Sequence, residues 1–183
     1  LSLMHRMGRV QVAVEEVEMA AIKLDAADIS FQIADMLAEI DETVPAAFWL
    51  DRAWRKDPKT EAYRIGRLRG LIYIRRHDAA EAQADELLAD PALQDRDTVV
   101  LYKAMILRIT GRPHDAVALI DGHEFKNADR YAEMRGVMAN VLQDIGRGDE
   151  ADAAYLEGMH VTGARLKVAK AYGAYLMRGN DYE

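Results

Sequence analysis

The chain has 183 residues, half of them hydrophobic, with 24 basic against 31 acidic side chains and a net charge of −7. It contains no cysteine, which excludes a disulfide scaffold, a thiolate zinc site, an iron–sulfur cluster and a cysteine nucleophile and leaves the redox compartment open. The acidic balance argues against nucleic-acid binding, which draws much of its affinity from neutralised phosphates. No stretch reaches the roughly 18 apolar residues of a membrane span. No long apolar run marks a secretory signal, and the expected location is cytoplasmic. Four prolines and 12 glycines, beside abundant Ala, Leu and Met, indicate an ordered helical chain.

Turn signals divide the chain at regular intervals. Gly8-Arg9 leads into a helix predicted over 10–24, with Ala13 five residues after the glycine. A helix over 28–40 follows, carried by Ile33, Met36, Leu37 and Ile40 at three- and four-residue steps. Asp41 closes it, and Pro45 opens a helix over 45–56 with Ala46 at the same place after the turn. Asp57-Pro58 ends that helix, because proline cannot continue it and disfavours helix in the residue before. The next pair spans 61–74 and 78–89, with Arg75 in the turn, Ala80 after it and Asp90-Pro91 at the end. A helix over 97–110, with Leu101, Met105 and Ile109 on one face, is followed by Gly111-Arg112 and a shorter helix over 113–121. That one carries Ala116 and is broken by Asp121-Gly122. Helices over 131–145 and 149–160, the latter with Ala151, flank Gly146-Arg147, and a last one over 165–178 runs to Gly179. No run alternates at period two, so no strand is predicted.

The five alanines Ala13, Ala46, Ala80, Ala116 and Ala151 are spaced by 33, 34, 36 and 35 residues. Twelve residues before the last four stand Ala34, Leu68, Ala104 and Ala139, all small or apolar. Four residues after the anchors stand Val17, Leu50, Ala84, Ile120 and Tyr155. Seven after stand Ala20, Ala53, Leu87, His123 and Gly158. This period, the helix–turn–helix layout, the turn glycines and the Asp-Pro ends resemble the tetratricopeptide repeat (TPR) family over essentially the whole chain. The resemblance implies an all-α, right-handed α-solenoid of antiparallel helix pairs with about ten helices. It would form one array over 1–183, with a partial repeat at 1–25, repeats at 26–60, 61–95, 96–130 and 131–164, and a partial repeat at 165–183. Arg75 in place of a turn glycine, Ala84 in place of a bulky residue and His123 in place of a small one depart from the family pattern.

No repeat of this kind buries its apolar face alone, so neighbours must stack. Only 1–7 precede the first anchored helix, and Gly179 announces a second helix where the chain stops. The helix from Leu166 to Met177 is apolar around most of its circumference, unlike a polar cap. The chain is therefore expected to be a fragment of a longer array, with self-association through the array ends as a further expectation.

In that family the first helix of each pair lines a concave face that takes extended peptides or partner helices. The resemblance thus implies a protein–protein interaction scaffold. The alternative is a helical repeat domain of a larger enzyme, such as a transferase, whose catalytic part lies outside this chain. Tyr63 to Arg76 holds five arginines and no acid. The planar guanidinium fork suits carboxylates, so an acidic peptide or a terminal carboxylate is the expected ligand, with Tyr63 and Tyr73 stacking beside it. The same arginines could instead form a solvated face paired with Asp35, Glu39, Glu81 and Asp85. The candidate peptide-binding residues are Arg64, Arg67, Arg69, Tyr73, Tyr102, Met105, Asn140 and Lys170.

No cofactor or metal is expected. The five histidines form no local ligand pair, and His114 and His123 read as turn and helix-end residues. Gly146 to Asp149 lacks the preceding strand of a phosphate loop. Trp49, with Phe48 and Phe31, is expected in the core and Trp54 partly exposed.

Overall fold

The computed structural model describes residues 25–161 together with Val12, Glu15, Met19, Ile22, Lys23, Ala169, Tyr172 and Gly173. Among the described residues there are eight α-helices and no strand. They are α1 (Ala27–Glu39), α2 (Thr43–Lys56), α3 (Glu61–Tyr73), α4 (His77–Ala89), α5 (Arg96–Ile109), α6 (Pro113–Asp121), α7 (Ala128–Asp144) and α8 (Gly148–His160). The all-α class and the helix–turn–helix order are as the sequence implies, and eight of the ten or so expected helices lie among the described residues. The two remaining helices, over 10–24 and 165–178, fall almost wholly outside the described residues, as do Ala13 and the candidate Lys170. Helix α7 starts at Ala128, three residues before its predicted start, because Asn127 caps it. The Asn127 side chain accepts the Arg130 N–H at 3.1 Å.

The turns explain the period. Asp41, Arg75, Gly111 and Gly146 all hold positive φ, at 63°, 57°, 78° and 77°. After each, the next N–H bonds back to a leucine carbonyl of the preceding helix: Glu42 to Leu37, Arg76 to Leu71, Arg112 to Leu107 and Arg147 to Leu142, at 2.8–2.9 Å. This left-handed closure satisfies carbonyls that a helix end leaves free. Glycine makes it without strain, whereas Asp41 and Arg75 each bear a cost of about 1–2 kcal/mol. The sequence frame that set these two residues beside the glycines thus corresponds to one backbone motif.

The chain divides into two compact units, Leu1–Arg76 and His77–Glu183. In the first, α2 packs against both α1 and α3. Ile33, Ala34, Leu37, Ala46, Trp49 and Leu50 form its buried cluster. Gly66 allows α3 to lie close to α1, since a Cβ there would stand 2.6 Å from the Phe31 ring. In the second unit, α5 packs against α4, α6 and α7, and α7 against α6 and α8. A larger cluster, including Leu101, Leu107, Ile120, Met134, Met138, Leu142 and Tyr155, fills it. The anchors Ala46, Ala80, Ala116 and Ala151, and Ala34, Leu68, Ala104 and Ala139 twelve residues earlier, are all fully buried. Alanine at seven of these eight positions lets helices pack closely, which is why the repeat is legible through alanine.

One core expectation is corrected. Trp49 is buried, but Phe48 is 59% exposed. Successive helical residues point about 100° apart, so the turn of α2 that buries Trp49 directs Phe48 outward.

Candidate functional site

The first helices of the four described pairs are α1, α3, α5 and α7. Eleven residues before each anchor they carry Asp35, Arg69, Met105 and Asn140, each half-buried. Four different side-chain chemistries therefore occupy one repeat position, next to the invariably buried small or apolar one.

In the first unit, Arg69 on α3 pairs with Asp35 on α1, and its guanidinium lies 5.8 Å from the Phe31 ring centroid. Arg67 stacks over the Trp54 ring at 3.7 Å, a cation–π contact, with its Nε 3.8 Å from the Asp51 carboxylate. Trp54 is partly exposed, as expected. Tyr73 packs against the buried cluster of that unit, and Arg64 is half-buried. Arg75 and Arg76 are exposed at the turn. The arginine-rich segment is thus partly compensated from within. Of the carboxylates considered as partners, Asp35 engages Arg69, whereas Glu81 takes Arg112 and Asp85 takes Lys103 inside the second unit.

In the second unit, Tyr102 is half-buried and Met105 packs against the core. Arg108 on α5 reaches Asp144 on α7 at 2.6 Å. Asn140 works inside the helix pair: its amide N–H donates to the Gly136 carbonyl at 2.8 Å, and its oxygen accepts the Tyr155 hydroxyl at 3.1 Å. Tyr155 is fully buried, so this amide ties α7 to α8.

One constellation escaped the sequence reading. Asp97, at the start of α5 and 7% exposed, accepts the N–H groups of Lys126 and Asn127 at 2.9 Å each, and His123 Nε2 lies 2.7 Å from its other oxygen. Burial disfavours the charged carboxylate, but the bonds from Asn127, His123 and Lys126 outweigh it and hold Asp97 below the usual aspartate range. The His123 ring also meets Phe125 edge-on at 4.6 Å. Together they pin the Gly122–Asn127 connection and fix where α7 begins. The site borders a cleft of about 450 Å³ lined by Leu93, Gln94, Arg96 and Lys126 among others. The one sequence signal was His123 itself, a polar ring where the frame expects a small residue. Among the described residues, no three histidine, cysteine or acidic side chains converge as a metal site, and no helix is long and apolar enough to cross a membrane.

Helix pairs of this period, closed by left-handed turns and packed through buried small residues, define the tetratricopeptide-repeat fold. Two solved structures share it. A thermophilic TPR protein of Thermus thermophilus superposes with a TM-score of 0.68 at 14% identity, over 95% of this chain and 94% of that one. YrrB, a TPR protein with an unusual peptide-binding site, superposes with a TM-score of 0.52 at 16% identity, over 93% of this chain and 87% of that one. No protein-family model and no curated protein matches the sequence.

Proposed function

We propose that this protein is an interaction scaffold that acts by binding, taking a peptide or helical segment of a partner protein on its first helices. The observation that carries the reading is the run of Asp35, Arg69, Met105 and Asn140 at one repeat position on α1, α3, α5 and α7. The position is half-buried in every described repeat, so each of these side chains keeps part of its surface open to a partner. The peptide-binding site of YrrB, on the same fold, supports the choice of ligand. The arginines of α3 favour a partner that brings a carboxylate. Because Asp35 already engages Arg69, that carboxylate would share or displace an existing ion pair.

Affinity capture with the full chain, followed by mass spectrometry and binding assays on the recovered segment, tests this. Arg69→Glu is expected to weaken binding at least about tenfold. Asn140→Ala is expected to weaken it too, with a loss of stability because Tyr155 loses its acceptor. Binding unchanged by both would refute the assignment of these helices.

A further inference from the structure

Helix α2 differs from every other described second helix on its outward side. Two residues before and two after the anchor alanine it carries Val44 and Phe48, which are 64% and 59% exposed. At the same two positions α4 carries Asp78 and Ala82, α6 carries His114 and Ala118, and α8 carries Asp149 and Ala153, all exposed. The repeat frame therefore asks for a polar residue and an alanine here, and only α2 substitutes two large apolar side chains. Packing does not require them, since both face solvent.

The difference continues along the helix. Six and nine residues after the anchor, α2 carries Arg52 and Arg55, where α4 carries Glu86 and Ala89 and α8 carries Glu157 and His160. Phe48, Arg52, Arg55 and Lys56 line a cleft of about 430 Å³ together with Asp25 and Asp51. The charges in it do not balance: three cations face two carboxylates. Arg52 and Lys56 share the single carboxylate of Asp25, at 2.5 and 2.6 Å. Arg55 contacts Asp51 at 2.6 Å, yet its side chain is 72% exposed. In a chain of net charge −7, this is a local positive excess beside an exposed aromatic ring.

We infer that the outward side of α2 is a second docking surface, which takes a partner peptide pairing an apolar or aromatic residue with acidic ones. The apolar residue would cover Val44 and Phe48, removing exposed apolar area from water. Its carboxylates would meet Arg55 and the shared Arg52–Lys56 pair, where the guanidinium forks offer bidentate geometry. Phe48 meets the buried Trp49 edge-on at 5.5 Å between centroids, so an occupant reports itself through indole fluorescence. This surface lies on a second helix and does not depend on the first-helix faces proposed above.

The test is a selection of phage-displayed random short peptides against the full chain. The peptides recovered are then titrated against the wild type, the double variant Val44→Asp with Phe48→Ala, Arg55→Ala, and Arg69→Ala. The first two variants write into α2 the residues that α4 already carries, so the fold tolerates them, and circular dichroism verifies this. The expected result is enrichment of peptides combining acidic with apolar residues. Their affinity should fall about tenfold or more in the double variant and severalfold in Arg55→Ala, and be unchanged in Arg69→Ala. No enrichment, enrichment without acidic bias, or equal affinity for the double variant would overturn the inference. So would concentration-dependent dimerisation that the double variant abolishes, because the occupant would then be a second copy of the chain.

Discussion

Replacing Asp97 by alanine removes the acceptor that organises the connection between α6 and α7. Three bonds are lost, two from backbone N–H groups at 2.9 Å and one from His123 at 2.7 Å. A hydrogen bond to a charged group contributes about 1.5–3 kcal/mol when its donors cannot turn to water. Lys126 and Asn127 are exposed residues, so their N–H groups recover part of that from solvent. The expected loss is about 2–4 kcal/mol, a large share of the 5–15 kcal/mol that a domain possesses.

The pH dependence follows from the depressed carboxyl of Asp97. Its contribution is fully present above the unfolded aspartate value of about 4 and disappears as the pH falls through the lower folded value. Urea unfolding of the wild type and Asp97→Ala, measured from neutral to acid pH, should show a constant gap down to about pH 5 that narrows below about pH 4. Amide exchange at Lys126 and Asn127 should accelerate in the variant. A gap under about 0.5 kcal/mol at neutral pH, the range of an ordinary surface change, or one that persists unchanged at pH 3, would refute the reasoning.

The turn motif separates two substitutions of opposite sign. Gly111→Ala puts a side chain at φ 78° and should cost about 1–2 kcal/mol, whereas Arg75→Gly relieves that strain and should leave urea stability unchanged or slightly raised. Gly66→Ala would drive a Cβ to 2.6 Å from Phe31 and should cost about 1–3 kcal/mol by overpacking. Phe31→Leu in the same chain should restore part of that, a coupling that a double-mutant cycle measures. Tyr155→Phe removes one bond to Asn140 and should cost about 1 kcal/mol in thermal or urea unfolding.

The fold was legible in this sequence because its rules are local and repeat. Each turn needs one residue in the left-handed region, and each helix pair needs a small residue where the backbones approach. These two demands leave Gly111, Gly146 and the anchor alanines at near-constant spacing. Even Asp41 and Arg75 could be placed, since their neighbours supplied the frame that glycine usually marks. What depended on through-space geometry stayed hidden. Asp97 and His123 stand 26 residues apart and meet only because α5 and the α6–α7 connection pack together. Phe48 and Trp49 are adjacent aromatics, and composition alone could not tell which one turns inward. Asn140 read as a groove residue, although its amide is engaged by Gly136 and Tyr155. The arginines of α3 were evident as a cluster, but their compensation by Asp35 and Asp51 required the helix pairing.

Amide hydrogen exchange on the full chain, with and without the captured partner segment, tests the scaffold assignment most directly. Binding along the first helices should slow exchange in α1, α3, α5 and α7, in the residues around Asp35, Arg69, Met105 and Asn140. Protection confined to the second helices α2, α4, α6 and α8, with the first helices unchanged, would contradict it.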